Sequence, residues 1–284
     1  MKKFLILLLA FIPFGLSKAQ APFPGKDEIK QFSESKTCVV LEDDPFSSFN
    51  AFIKAAMKDY WNITPYEFID AGEFNTRRLK PAYSFIVLTE TNYEKDKSHS
   101  VYNFINLLQG KDVNKLGEMP EICAVPLSFA GEDDLEYGYK LGAILEFMQK
   151  HARLIMEDPS KTGRKYLKYY NENVPLLTSK TILVKKEDLS PDISTIDRIR
   201  AIYSNKIEIV PEEEIVKAIE TKAPNTVILH MVGPAGERKD MGYCFKMLIG
   251  TDDANMYYYN MHKIDKDDPD GLLPSDLKRL ARFD

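Results

Sequence analysis

Three cysteines in 284 residues are too few for a disulfide-stapled secreted scaffold. Cys38, Cys123 and Cys244 each lie in or beside an apolar run, and an odd count leaves at least one of them unpaired within the chain. A single bridge from Cys38 to Cys123 is open to an oxidising compartment. Three buried thiols acting as small hydrophobes is the preferred reading. Long apolar runs are lacking beyond residue 16, so no membrane span is expected in the mature chain. Positive charge is not in excess: the net charge is -5, with both signs dispersed, which excludes a general nucleic-acid binder with a basic stripe.

Glycine-rich phosphate loops are missing where they would be needed. Leu41-Glu42-Asp43-Asp44-Pro45 and Lys185-Lys186-Glu187-Asp188 follow the two strand-like runs that would open nucleotide folds, and neither contains glycine. That excludes Rossmann and P-loop sites. Gly233-Pro234-Ala235-Gly236-Glu237-Arg238-Lys239 lacks the lysine-hydroxyl ending and reads as a hairpin loop. His99, His151, His230 and His262 are scattered, with His230 expected as a packed histidine and His262 at the surface. The acidic run over 265–271 fails the register of a calcium loop, because Lys266 replaces the first ligand and Leu277 the closing glutamate. It reads as a solvated turn. There is no Gly-x-Ser-x-Gly elbow. The sequence therefore assigns no catalytic residue, no metal site and no cofactor.

What is present begins at the N-terminus. Lys2 and Lys3 precede an apolar stretch over 4–16, followed by the small residues Ser17 and Ala19. This order predicts a signal peptide over 1–19. Cutting after Ala21 would leave Pro22 beside the scissile bond, so cleavage after Ala19 is preferred, leaving Gln20 first. No cysteine follows to carry a lipid anchor. Residues 20–35 mix Pro, Gly, Lys, Glu and Ser without periodicity and are expected to form an exposed leader.

The rest of the chain repeats an order of elements. Strand-like runs open at Lys36-Thr37-Cys38-Val39-Val40 and at Lys180-Thr181-Ile182-Leu183-Val184. Each is followed by a helical pattern (49–60, 195–203), a short strand (66–69, 207–210), a second helix (73–79, 211–221) and a strong strand (83–89, 226–232). Tyr102-x-Phe104-x-x-Leu107 then matches Tyr243-x-Phe245-x-x-Leu248, and a last strand follows each (122–129, 255–264). The reading is an α/β fold with mixed sheets: β-α-β-α-β-β-β twice, parallel where helices cross over and antiparallel at the end. The first unit spans 36–134 and the second 179–284. Between them, 135–178 reads as a helical connector packed on the first sheet. Its apolar positions Leu141, Ile144, Leu145, Met148, Ala152 and Ile155 fall at helical spacing. Ser275 is the expected N-cap of a closing helix.

Aromatic residues supply the candidate binding surface. Trp61 and Tyr66 cluster between 60 and 68, and Tyr257-Tyr258-Tyr259 lie on a late strand. Trp61, Tyr66, Tyr257 and Tyr259 are the binding candidates for a peptide, glycan or protein. The stretches Trp61-Asn62-Ile63-Thr64-Pro65-Tyr66-Glu67-Phe68-Ile69, Tyr83-Ser84-Phe85-Ile86-Val87-Leu88 and Met119-Pro120-Glu121 resemble secreted proteins of unknown function from Bacteroidetes, over most of the mature chain. In element order alone the units are similar to domains of the curli secretion lipoprotein and the N-terminal domain of the Tol–Pal translocation protein, envelope proteins that assemble with others. The chain departs from them in having no lipobox cysteine, pore hairpin or propeller repeats. The resemblance implies no catalytic residues. The resulting expectation is an exported, non-catalytic binding or scaffold protein, periplasmic or extracellular, with an envelope protein as partner. The rival expectations are a periplasmic hydrolase with a site between the halves near Asp43, Asp44 and His230, and a small-ligand protein using the same cleft.

Overall fold

The computed structural model describes residues 21–44, 46–93, 96–163, 167–234 and 240–283. The expected signal peptide and residues 235–239 of the expected hairpin loop lie outside them. Helix α1 (Lys26–Glu34) precedes β1 (Lys36–Val40), α2 (Ser48–Tyr60), β2 (Tyr66–Ile69), α3 (Ala71–Arg77), β3 (Tyr83–Asn92), β4 (Val101–Gln109) and β5 (Glu121–Phe129). Helices α4 (Leu135–Gly138) and α5 (Leu141–Glu157) and a 3₁₀ stretch over Lys168–Ser179 follow. The second unit comprises β6 (Thr181–Val184), α6 (Ile196–Arg200), β7 (Ile207–Ile209), α7 (Glu212–Glu220), β8 (Thr226–Val232), β9 (Gly242–Gly250) and β10 (Met256–Ile264), closed by α8 (Pro274–Leu280).

The two units share one topology. The first sheet has the order β2-β1-β3-β4-β5 and the second the equivalent order β7-β6-β8-β9-β10. In each, the first three strands are parallel and the last two antiparallel. Local chemistry supports each helix start. Ser47 Oγ accepts from Asn50 N at the head of α2, and Asp70 Oδ1 accepts from Glu73 N at the head of α3. Glu212, Glu213 and Glu214 occupy the positive end of α7.

The units stack in tandem rather than back to back. One apolar cluster joins Val39, Ile86 and Ile105 of the first sheet to α2, α5 and α7, and these to Leu183, Ile228 and Met247 of the second sheet. The other face of the first sheet meets Phe74 of α3. The far face of the second sheet meets Ile199 of α6 and Leu277 of α8. The layers therefore run α3, first sheet, central helices, second sheet, then α6 with α8. The connector packs on the first sheet, as expected, and on the second as well. Helix α5 is buried on nearly every side because it sits between two sheets, not on one. At the far end of the contact Tyr243 N donates to Tyr102 Oη at 2.7 Å, and the rings of Phe104 and Phe245 meet edge-on at 5.9 Å. The repeated motif thus meets its own copy.

Three expectations are corrected. Over the described part of the expected leader, 21–35, the chain is not an exposed leader. Ile29 and Phe32, three apart on α1, are buried in the central cluster, and Glu121 N donates to Pro22 O at 2.9 Å. Ser275 is not the cap of α8. The helix starts one residue earlier at Pro274, and the Asp276 carboxylate reaches back to Leu273 N at 2.9 Å. His262 is half-buried rather than a surface group, held between Lys246 Nζ at 2.8 Å and Pro269 O at 2.9 Å. The three cysteines are free and buried. Among the described residues no helix is long and apolar enough to cross a membrane.

Candidate functional site

The aromatic candidates do not form one exposed face. Trp61 is buried, its indole N–H donating to Thr64 Oγ1 at 3.1 Å. Tyr66 is half-buried and edge-on to Phe68. Tyr257 is buried, with its hydroxyl on the Asp253 carboxylate. Tyr259 is half-buried, and both its backbone groups are clipped by the side-chain amide of Asn171. A register shift between Met256 and Tyr258 places Tyr257 and Tyr258 in the same outer cluster, while Tyr259 packs against the central one. The hydrolase trio is divided by burial. Asp43 and Asp44 are exposed, whereas His230 is 1% exposed and hydrogen-bonded through Nε2 to Pro126 O at 2.9 Å.

The structure draws attention instead to the carboxyl ends of the parallel strands, where α/β sheets hold ligands. In the first unit, β1 and β3 pair through Val39 and Ile86 and then part, while β3 runs on beside β4 to Asn92. A cleft of about 250 Å³ opens at the parting. Its apolar walls are Val40, Leu41, Val87 and Leu88, and its carboxylates are Glu42, Glu90 and Asp134. Asp134 is committed to structure: it accepts from Phe49 N at 2.8 Å and from the Tyr137 hydroxyl at 2.5 Å. Glu42 accepts from Ser47 Oγ at 2.5 Å, and its backbone is clamped by Asn50 at 3.0 and 2.9 Å. Glu90 is exposed and makes no ion pair among the described residues. Among the described residues no cation lines the cleft. Phe46, on the loop that carries Glu42, is 91% exposed, and Leu135, next to Asp134, is exposed as well.

The segment 130–140 joins this cleft to the matching edge of the second unit. Asp134 and Tyr137 line the cleft, while Glu136, Tyr139 and Lys140 face residues that follow β6 and β7. Lys185 Nζ lies 3.2 Å from Glu212 and 3.6 Å from Glu136. The Lys140 and Lys185 ammonium groups lie 5.2 and 5.9 Å from the centre of the Tyr139 ring. Lys140 is buried, and desolvation lowers its pKa against the pull of Asp188. Asp188 is buried too, its pKa raised by desolvation against Lys140 and Lys185, and its Oδ2 has no partner among the described residues. Burial, with Lys140 adding to it, lowers His230 to about 3. Nε2 therefore carries the proton donated to Pro126 O, and Nδ1 is left as an unpaired acceptor. These groups form a closed polar seam between the units. Among the described residues no group of three or more His, Cys, Asp or Glu is placed to hold a metal ion.

Sequence reasoning missed Glu42, Glu90, Lys140 and Asp188 as a site. The available signal was Lys140 itself, a cation immediately before an apolar helix. The fold and site define an α/β protein of two similar units with a cleft at the carboxyl edge of the first. Compared with protein-family models, with curated proteins and with solved structures, the chain finds no match in any of the three.

Proposed function

We propose that the protein is an exported, non-catalytic binding protein of the Gram-negative cell envelope that holds a partner protein at the cleft beside segment 130–140. Export rests on the order of Lys2 and Lys3, the apolar stretch and Ala19, and agrees with the resemblance to secreted Bacteroidetes proteins. Binding rests on one observation: an open cleft carries Glu42 and Glu90 with no cation among its described lining residues, and the loop that carries Glu42 leaves Phe46 91% exposed. Leaving that ring in water gives up the burial free energy of an aromatic side chain, a cost that a covering partner removes. The test is a photo-crosslinking residue at Phe46 in intact cells, with Leu176, exposed elsewhere, as the control. One protein attached at Phe46 and not at Leu176 supports the reading. A mature protein that gains no adduct at Phe46 sinks it.

The second reading, a small-ligand or hydrolytic site between the units, is favoured by the orphaned Asp188 Oδ2 and His230 Nδ1. It expects a molecule retained through purification that is lost in Lys140→Met. Native mass spectrometry showing the bare chain would remove it.

A further inference from the structure

The parting of β1 from β3 leaves more than a cavity. Up to Ile86, β3 has β1 on one side and β4 on the other. From Val87 onward β4 continues, but among the described residues no strand pairs β3 on the β1 side, and Val87 O accepts only the Asn106 side-chain amide at 3.4 Å outside the strand ladder; this stretch lines the cleft. Unpaired backbone N–H and C=O groups along a strand are a template for an added strand. Two of the four outer sheet edges are guarded: Asn171 and Asn173 occupy backbone groups of β10, and Pro22 and His230 those of β5. Side chains alternate along an added strand, so one set would face the apolar walls and the next would reach the rim carboxylates. Among the described residues no cation lines the cleft beside Glu42 and Glu90, and Phe46, on the loop that carries Glu42, is exposed outside the cavity lining. An amine small enough for about 250 Å³ would leave Phe46 uncovered, whereas a polypeptide extends beyond the cavity.

We infer that the cleft takes an extended, basic segment of a partner polypeptide as an added strand against residues 87–90 of β3, with a lysine or arginine side chain meeting Glu42 and Glu90. The inference rests on the binding reading above and names the chemistry of the partner.

The probe is a short fluorescent peptide alternating lysine with threonine, acetylated and amidated, compared with its glutamate counterpart. Anisotropy reads affinity, and amide hydrogen exchange reads the backbone. The lysine peptide binds saturably and the glutamate peptide does not. The double variant E42Q/E90Q weakens the lysine peptide by about tenfold or more, with the unfolding midpoint unchanged. The cleft-facing amides among residues 88–90 exchange more slowly in the complex. Equal binding of both peptides, an unchanged Kd in E42Q/E90Q, or unprotected amides at 88–90 would overturn the inference. So would cadaverine competing as strongly as the peptide, which would assign the cleft to free amines. Partner capture at Phe46 together with failure of the lysine peptide leaves the binding reading standing and removes this one.

Discussion

Acid should loosen this protein below about pH 6.5, and two buried histidines supply the loss. His230 is packed between the units, and burial together with the Lys140 charge lowers its pKa to about 3. His151 lies on α5 with its Nδ1 against the Tyr169 and Tyr170 hydroxyls, and burial lowers it to about 4. An unfolded histidine titrates near pKa ~6.5. Between those values the unfolded chain binds protons that the folded chain refuses, so stability falls as pH falls below about 6.5 and levels off below each folded pKa. At about pH 5 the shortfall is roughly 1.5 pH units for each ring, or about 2 kcal/mol each and about 4 kcal/mol together, at 1.36 kcal/mol per unit. That is a large share of the ~5–15 kcal/mol by which domains are stable. The lowered carboxylates Asp253 and Asp276 act only nearer their unfolded values of about 4, below most of the histidine window. The raised groups Glu132, Asp188 and Asp270 work in the opposite sense. The assay is urea unfolding at a series of pH values for the wild type and for His230→Gln, which keeps a donor for Pro126 O. The variant should lose about 2 kcal/mol less than the wild type between about pH 7.5 and pH 5. Identical pH slopes would refute the reasoning.

Other outcomes follow from single contacts. Lys246 and Asp276 are both fully buried and 2.6 Å apart, so Asp276→Asn should cost about 3–5 kcal/mol in denaturant by leaving the Lys246 charge unpaired, and adding Lys246→Met should recover part of that loss. Phe46→Ser should alter stability by no more than about 0.5 kcal/mol while abolishing partner attachment at the cleft. Cys38, Cys123 and Cys244 should be inert to a thiol reagent in the native protein and react after unfolding, with rapid native labelling counting against their burial. Asn171→Ala should free the Tyr259 amide and carbonyl, seen as faster exchange at Tyr259 and about 1 kcal/mol of lost stability.

Periodicity and punctuation were enough to read the elements. The alternation around β1 and β6, the amphipathic spacing of α2 and α5, and the repeated order of elements are local properties of the chain, and the two sheets follow them strand by strand. Local pattern also flagged His230 as a packed histidine, because it lies inside an apolar strand. What stacks on what was decided by long-range packing. Helix α5 has the same sequence whether one sheet covers it or two, and Ile29 and Phe32 count as core only once α1 has a cluster to enter. Whether Trp61 or Tyr257 faces water is likewise a property of the neighbours. A single register shift after Met256 moved Tyr257 and Tyr258 to one side against the simple alternation of a strand. The cleft exists only because β1 and β3 separate after Val39 and Ile86, bringing Glu42 and Glu90, 48 positions apart in the numbering, to one opening. Elements are encoded by neighbours in sequence, and the site by neighbours in space.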